Sequence, residues 1–256
     1  MAADRVKQDT HADHAEQVQA RLATVMDPEL DESVTELGFI TELDLLEHGE
    51  VRIGFRLPTY WCAANFAFLM ADDMRRAVQV LPWVTRVQVH LHDHMYAEAI
   101  NQGVADGAGF QAAFGAAAEG GLDALRRTFE LKAFQRRQEA LLQHLIDVGQ
   151  LPATLVALEL PALQRLLLLD TEGERLLERY LERRALVDGG ALAFVDTEGR
   201  PIAADALSSH LRSLRTVSIN VEFNGALCRG LLAVRDNEVG VHKIHIVRRP
   251  QVADAL

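Results

Sequence analysis

The sequence predicts an α+β protein in three parts, because three kinds of hydrophobic pattern follow one another along the chain. Helical and alternating patterns in the first third predict the order α-β-β-α-β. The middle is dominated by apolar residues at helical spacing, whereas the last part alternates apolar and polar residues as strands do. The predicted parts are an α+β domain at residues 1–100, a helical region at residues 101–188 and a strand-rich α+β domain at residues 189–256.

The elements of the first domain are predicted from the spacing of apolar side chains. Residues 14–24 place their apolar side chains on one helical stripe, and Pro28 follows shortly after this helix. Residues 38–57 alternate on both sides of a short polar turn, which predicts two antiparallel strands. Residues 63–80 form an amphipathic helix, and residues 83–93 alternate again and predict a third strand. The result is a compact unit of normal domain size.

The later parts are predicted in the same way. Helical patterns occupy residues 122–148, 155–169, 171–186 and 203–214. Alternating patterns predict strands at residues 191–196, 216–224, 227–236 and 238–249. The dipeptide Asn224-Gly225 is typical of a tight hairpin turn between two of these strands.

Composition and charge restrict the class of partner and the compartment. The net charge is −11, and no Lys or Arg occurs between Asp27 and Glu50, so this surface repels phosphate and nucleic acid is not expected as a partner. No apolar run reaches membrane-spanning length, and no hydrophobic signal segment is present. Two distant cysteines in such a chain indicate a reducing cytoplasm. The excess of Arg over Lys, with abundant Ala, is typical of a bacterial protein with a GC-rich gene.

Several enzyme classes are excluded by the motifs that the sequence lacks. The chain has no phosphate-binding Walker loop, no dinucleotide-binding glycine fingerprint and no Gly-x-Ser-x-Gly nucleophile turn. A conventional ATPase, dehydrogenase or serine hydrolase is therefore not expected, and the chain is predicted not to be an enzyme.

Cys62 lies at the junction of the second predicted strand and the following helix, in the segment "LPTYWCAANF". A helix N-terminus presents unpaired N–H groups and the positive end of the helix dipole, which favours the thiolate form of a cysteine. Thiolate is the form that binds iron and iron–sulfur clusters. The alternative is that Cys62 is a small buried hydrophobic residue, as free cysteines often are.

The segment around residues 13–95 resembles the iron–sulfur cluster assembly domain found in SufT-type proteins and in the phenylacetate-oxygenase assembly factor. The matching motifs are a turn, a strand entry and a cysteine loop, at Asp27-Pro28-Glu29, Glu36-Leu37-Gly38 and Pro58-Thr59-Tyr60-Trp61-Cys62-Ala63. Three positions of the cysteine loop depart from the family pattern. Pro58 stands where the family has Thr, Trp61 replaces a Gly, and Ala63 replaces a Pro.

The resemblance implies an accessory protein that assembles iron or an iron–sulfur cluster, or delivers it to a client metalloenzyme. Cys62 is then the candidate ligand, and the supporting loop residues are Asp27, Glu29, Glu36 and Thr59. The cofactor is iron or an iron–sulfur cluster that is bound transiently, and the partners are a client or another assembly protein. A single thiolate cannot hold a whole cluster, so the expectation is either a homodimer that shares a labile cluster or a single anchoring ligand at Cys62 helped by Asp27 or a histidine. The alternative is a protein-interaction chaperone that keeps the fold without metal chemistry.

A second candidate site lies on the third predicted strand, where His90, His92 and His94 alternate. On a regular strand the three rings point to one face, where they can bind a transition metal together with Asp93 or Glu98. The alternative is an exposed polar strand face. Cys228 is predicted to be a buried structural thiol in the middle of a strand of the last part.

Overall fold

The computed structural model describes residues 2–107, 109–115, 122–167, 170–239 and 245–247. The chain forms two compact units. The first unit comprises Met1–Asp123 and Gly225–Leu256, and the second comprises Ala124–Asn224. The three-part division at residues 100 and 188 stays a prediction.

The elements follow in chain order. Those before the long central helices are α1 Ala2–Leu22, β1 Ile40–Leu45, β2 Glu50–Arg56, α2 Ala64–Gln79, β3 Arg86–His92, α3 Ala97–Ala105 and α4 Gly109–Phe114. The remaining elements are α5 Leu122–Asp147, α6 Pro152–Leu155, α7 Leu160–Leu167, α8 Thr171–Arg184, α9 Leu207–Val239 and β4 His245–Val247. The predicted α+β class and the α-β-β-α-β order are therefore confirmed.

The sheet of the first unit has the strand order β3-β2-β1-β4. β1 and β2 are antiparallel, whereas β2 pairs with β3 and β1 with β4 in parallel. The register places Ile53 beside both Leu43 and Val89, and all three side chains are buried on the same face. The alternation along β3 leaves His90 and His92 on the opposite face. The alternation of apolar and polar residues in the sequence thus corresponds to the two faces of the strand.

The turn between β1 and β2 depends on Gly49. This residue has φ +79°, and a Cβ atom there would collide with the main-chain oxygen of Trp83. The carbonyl of Gly49 accepts a hydrogen bond from the Thr85 N–H at 2.8 Å, while the Thr85 hydroxyl donates to the carbonyl of His48 at 2.7 Å. The missing side chain thus allows the turn to approach the segment that leads into β3.

We expect Gly49→Ala to lower the free energy of unfolding by about 2 kcal/mol, since it combines a left-handed backbone with a steric clash. Gly107→Ala is the matched control, because Gly107 has φ +63° and no atom within 4 Å of the added Cβ. It should cost only about 1 kcal/mol, the strain of the backbone alone. Urea unfolding of both variants measures the difference, and equal losses would contradict a steric role for Gly49.

The second unit is built around buried side chains of α5, α7 and α8 and of the segment that follows α8. Tyr180 is fully buried, and its ring centroid lies 5.7 Å from those of both Phe134 and Phe194. Gln138 is also fully buried, and its amide nitrogen donates to the carbonyl of Val195 at 2.8 Å. The predicted helical content of this region is confirmed, and its core contains a polar network as well as apolar side chains.

The prediction of strands at residues 216–224 and 227–236 was wrong, because both segments belong to α9. Buried positions recur along α9 at helical spacing, at Leu214, Ser218, Val221, Gly225 and Leu232. This period of three to four residues coexists in the sequence with the alternation that predicted strands. Asn224-Gly225 lies inside the helix and forms no hairpin.

The other two predicted strands of the last part are only partly present. Residues 191–196 form the isolated bridges Glu159↔Leu192 and Val195↔Pro201 and no continuous strand. Within residues 238–249, the structure describes the end of α9 and the short strand β4, and the rest lies outside the described residues. The last part is therefore largely helical where it is described, because the long helix α9 replaces most of the predicted strands.

None of the helices in the described part of the chain combines the length and apolarity that crossing a membrane requires.

Candidate functional site

Cys62 lies in the loop of residues 57–63 between β2 and α2, here named the thiol loop. Its thiol is half-buried, and Sγ lies 3.1 Å from the hydroxyl oxygen of Thr59. The N–H of Cys62 also points to the carbonyl of Thr59 at 3.5 Å, so the loop turns back on itself. α2 begins at Ala64, after Ala63 in a non-helical conformation that provides no side-chain cap. The thiol therefore lies just before the first turn of α2, as the sequence predicted.

His94 fixes the main chain of the thiol loop. Its Nδ1 accepts a hydrogen bond from the N–H of Tyr96 at 3.2 Å, which requires that nitrogen to be unprotonated. The proton therefore resides on Nε2, which donates to the carbonyl of Cys62 at 2.8 Å. Burial lowers the pKa of His94, and the positive charge of Arg235 lowers it further. The hydrogen bond to the carbonyl of Cys62 raises the pKa and so opposes both effects. The ring is thus neutral, with both nitrogens engaged.

The loop of residues 27–32, named here the Asp27 loop, is organised by a buried carboxylate. Oδ1 of Asp27 accepts hydrogen bonds from the N–H groups of Glu29 at 2.9 Å and Leu30 at 2.8 Å. The N–H of Asp27 donates to the carbonyl of Glu32, and the N–H of Asp31 donates back to the carbonyl of Asp27. This arrangement explains the Asp-Pro-Glu motif as a side-chain-capped turn.

The electrostatics of Asp27 are unusual because the carboxyl group is almost completely buried. Burial raises its pKa to about 6, and the neighbouring charges of Glu29 and Glu32 act in the same direction. The two hydrogen bonds from the Glu29 and Leu30 N–H groups oppose this shift and do not cancel it. Asp27 therefore changes charge close to physiological pH.

The other predicted loop residues belong to the Asp27 loop and to the turn before β1. Glu29 is half-buried within the Asp27 loop, whereas Glu36 is exposed in the turn that precedes β1. This turn requires Gly38, which has φ +72° and donates its N–H to the carbonyl of Thr35. Thr59 contacts the Cys62 thiol, and the roles predicted for Asp27, Glu29 and Glu36 as supporting residues stay predictions.

Sequence reasoning missed the residues that α9 contributes to this region. Arg229 forms an ion pair with Glu32 at 2.8 Å. Arg235 donates to the carbonyl of Leu57 at 2.5 Å and to the carbonyl of Asp93 at 2.9 Å, and its guanidinium lies 3.3 Å from the carboxylate of Asp93. These two arginines tie α9 to the Asp27 loop and the thiol loop. A helical interpretation of residues 225–235 is the signal that would have placed both arginines within two turns of one helix.

Cys228 also belongs to this region of α9. Cys228 is half-buried, and it lies within a helix. The sequence-based expectation of a thiol within a strand was therefore wrong. Burial raises the pKa of Cys228 to about 11, and the negative groups that raise it further are Asp27, Cys62 and Glu29.

The three predicted histidine ligands are divided by the end of β3. His90 lies opposite Gly54 on the open face of the sheet, and the His92 ring fills the space that the missing side chain of Gly54 leaves. Burial, Arg52 and His92 all lower the pKa of His90. Asp93 takes a positive φ of 50°, which ends the alternation, and His94 turns to the thiol loop. The expected common face thus holds only two of the three rings, while metal binding by these residues stays a prediction.

Among the residues that the structure describes, no group of three or more His, Cys, Asp or Glu side chains is placed to hold a metal ion.

Comparison with known proteins decides the family. The family model described as "Iron-sulfur cluster assembly protein" matches residues 15–90. The chain is also 30% identical over 76 residues to the Fe-S protein maturation auxiliary factor YitW of Bacillus subtilis (strain 168), a match covering 30% of this chain and 72% of that relative. The chain belongs to the iron–sulfur cluster assembly protein family. No solved structure matches it.

Membership in the iron–sulfur cluster assembly family confirms the resemblance found in the sequence and supports a general role in iron–sulfur maturation. The matched segment includes the Asp27 loop, the thiol loop and most of β3. His94 and the α9 residues that hold the thiol loop lie beyond it. In this iron–sulfur cluster assembly protein, the family segment is therefore supplemented by contacts that the rest of the chain provides.

Proposed function

We propose that this protein is an accessory factor that binds iron or an iron–sulfur cluster at Cys62 and delivers it to a client metalloenzyme. The observation that carries the proposal is the half-buried Cys62 in the thiol loop of the family segment, just before the first turn of α2. Cysteine sulfur is the ligand that holds iron–sulfur clusters in proteins. The metal or cluster is the cargo of the protein.

The surroundings of Cys62 suit transfer to another protein. Tyr60 and Trp61 precede the thiol and are 54% and 72% exposed. The N–H of Met95 donates to the carbonyl of Tyr60, which brings the exposed Met95 and Tyr96 to the same loop. Exposed aromatic and Met side chains are typical of protein-binding surfaces. We infer that a client contacts these side chains while it receives the cargo from Cys62.

The test is anaerobic reconstitution of the full chain with ferrous iron and sulfide, followed by visible absorption and by counting of bound iron. We expect the wild type to retain iron after desalting and Cys62→Ser to lose most of it, because an alcohol is a poor ligand for iron. Equal iron retention by the two proteins would contradict the role of Cys62.

Thr59→Val provides a control for disturbance of the loop. It removes the hydroxyl beside Sγ and leaves the thiol in place. We expect this variant to retain iron, since Thr59 is not a ligand in the proposal. Circular dichroism of each variant verifies that the fold is intact.

The second candidate function is an interaction chaperone without metal chemistry, and the exposure of Trp61 favours it. The family resemblance described above implies a Gly at this position, so the Trp of this protein adds a large, exposed apolar side chain next to Cys62. If the protein is such a chaperone, the wild type and Cys62→Ser bind a client equally well, and neither protein retains iron.

A further inference from the structure

We infer that α9 binds α9 of a second copy of this chain, so that two copies associate through an antiparallel pair of helices. The surface that carries the inference is a row of five large apolar side chains on one side of α9. It is named here the α9 stripe and consists of Ile219, Phe223, Leu227, Leu231 and Val234. The stripe lies outside the family segment of residues 15–90, and the inference does not depend on iron binding at Cys62.

The α9 stripe has helical spacing and is open to solvent. Its members follow one another at intervals of four, four, four and three residues, which keeps them on one side of an α-helix. Each retains between 38% and 68% of its surface, and the stripe extends for about 22 Å along the helix. Val221, Gly225 and Leu232 are buried on the other side of the same helix. α9 is thus apolar on two sides, and one of them faces solvent.

Charged residues are scarce along this part of α9. Between Thr216 and Val234 only Glu222 and Arg229 are charged, and both lie to one side of the stripe. A surface helix of a soluble protein normally carries charged residues on its solvent face. Homodimer interfaces are more apolar than those of transient complexes, and their centres are depleted of charge. The absence of charge from the stripe therefore favours a lasting contact with a second copy over a client that binds and leaves.

The sequence of the α9 stripe is self-complementary about its middle, between residues 226 and 227. An antiparallel pair with this centre sets a large side chain of one copy opposite a small or similar one of the other. The facing residues are Phe223 and Gly230, Leu227 and Ala226, and Ile219 and Val234. A two-fold interface requires one surface to fit itself in this way, since both copies present the same patch.

The two charged residues favour the antiparallel orientation. Glu222 and Arg229 lie on opposite sides of the centre of the stripe. An antiparallel pair brings Glu222 of one copy close to the level of Arg229 of the other, whereas a parallel pair sets like charges at the same level. Within one chain, Glu222 pairs with Arg215 and Arg229 pairs with Glu32, and these ion pairs are partly exposed. A second copy can therefore join them without burying an unpaired charge.

The exposed area is sufficient for a dimer. Five side chains with this exposure leave roughly 500 Å² of apolar surface on one helix, near the upper end of the largest patch on a typical monomer. Two stripes that cover each other bury about 1,000 Å², and a stable interface buries about 1,200–2,000 Å². The difference is supplied by exposed residues beside the stripe, which are Thr216, Asn220, Ala226, Gly230 and Ala233.

The test is sedimentation equilibrium of the full chain without added metal, over a range of protein concentrations. We expect the wild type to be a dimer at micromolar concentration. Leu227→Glu should raise the dissociation constant by about 100-fold or more, because it sets two carboxylates together at the centre of an apolar interface. Phe223→Glu is a second variant with the same expected effect. Val80→Glu is the matched control, because Val80 is an exposed apolar residue at the end of α2, and it should leave the dimer unchanged.

A second measurement determines the orientation of the two helices. Ile219→Cys and Val234→Cys are each made in a chain whose own thiols are removed by Cys62→Ser and Cys228→Ser. A short bismaleimide is added to each protein alone and to an equal mixture of the two. We expect a crosslinked dimer mainly from the mixture, because antiparallel pairing sets position 219 opposite position 234. Efficient crosslinking of each protein with itself would indicate a parallel pair and contradict the inferred arrangement.

The outcomes are decided without reference to iron. A wild type that remains monomeric at all concentrations would overturn the inference, whatever else covers the stripe. A dimer that both Leu227→Glu and Phe223→Glu leave intact would place the interface elsewhere and overturn it equally. Circular dichroism verifies that each variant is folded. Because neither result bears on iron retention by Cys62, failure of this inference is distinguishable from failure of the proposed function.

Discussion

Replacement of Tyr180 by Ala is expected to lower the free energy of unfolding of the second unit by about 3–5 kcal/mol, because a large cavity opens in its core. The ring of Tyr180 is fully buried between Phe134 and Phe194. Its hydroxyl donates to the carbonyl of Ala193 at 2.7 Å and accepts from Gln138 at 3.3 Å. The loss thus combines packing with two buried hydrogen bonds.

Tyr180→Phe separates these two contributions. It retains the ring and removes the hydroxyl, which leaves the carbonyl of Ala193 without this donor and should cost about 1–2 kcal/mol. Tyr60→Ala is the matched control, because Tyr60 is 54% exposed, and it should change stability by less than about 0.5 kcal/mol. Urea unfolding followed by far-UV circular dichroism measures all three, and a loss from Tyr180→Ala no greater than that from Tyr60→Ala would contradict the described core.

Asp27→Asn is expected to stabilise the protein above about pH 6, by up to about 3 kcal/mol. The pKa of Asp27 is raised from 3.8 to about 6, so the folded protein holds this proton more tightly than the unfolded chain does. As pH rises from the lower to the higher of these values, the unfolded chain ionises first and stability falls. Asn keeps the oxygen that accepts from Glu29 and Leu30 and cannot ionise.

The measurement is the difference in unfolding free energy between Asp27→Asn and the wild type as a function of pH. This difference should rise between about pH 4 and pH 6 and then level off. Asp106→Asn is the control, since Asp106 is exposed at the end of α3, and its difference should stay flat. A flat profile for Asp27→Asn, or a loss of stability at neutral pH, would contradict the effect of burial on this carboxyl.

The first unit was predictable because its local patterns agree with its tertiary structure. The alternation of β2 and the amphipathic pattern of α2 each had one structural solution, and the position of Cys62 at their junction followed from the order of elements. The Asp-Pro-Glu turn was equally readable, since the Asp27 carboxylate is satisfied within three residues of its own position. Information of this kind is local and therefore visible in the sequence.

The C-terminal part was misread because residues 216–236 satisfy two periods at once. Val217, Ile219 and Val221 alternate like a strand, but the buried positions of α9 recur every three to four residues. Local sequence does not decide between such patterns; long-range contacts such as that of Arg235 with Leu57 do. The error also hid that Cys228, Leu232 and Arg235 lie on one side of a helix, because successive side chains of a strand point to alternate faces.

The contact between Arg235 and Leu57 spans 178 residues of the chain. During synthesis the thiol loop therefore leaves the ribosome long before its partners on α9 exist. At typical translation rates of 5–20 residues per second, the delay is roughly 9–36 s. In that interval the thiol loop has the contact between Cys62 and Thr59 but lacks the contact of Arg235. The full set of contacts around the thiol loop thus forms only after α9 has been synthesised.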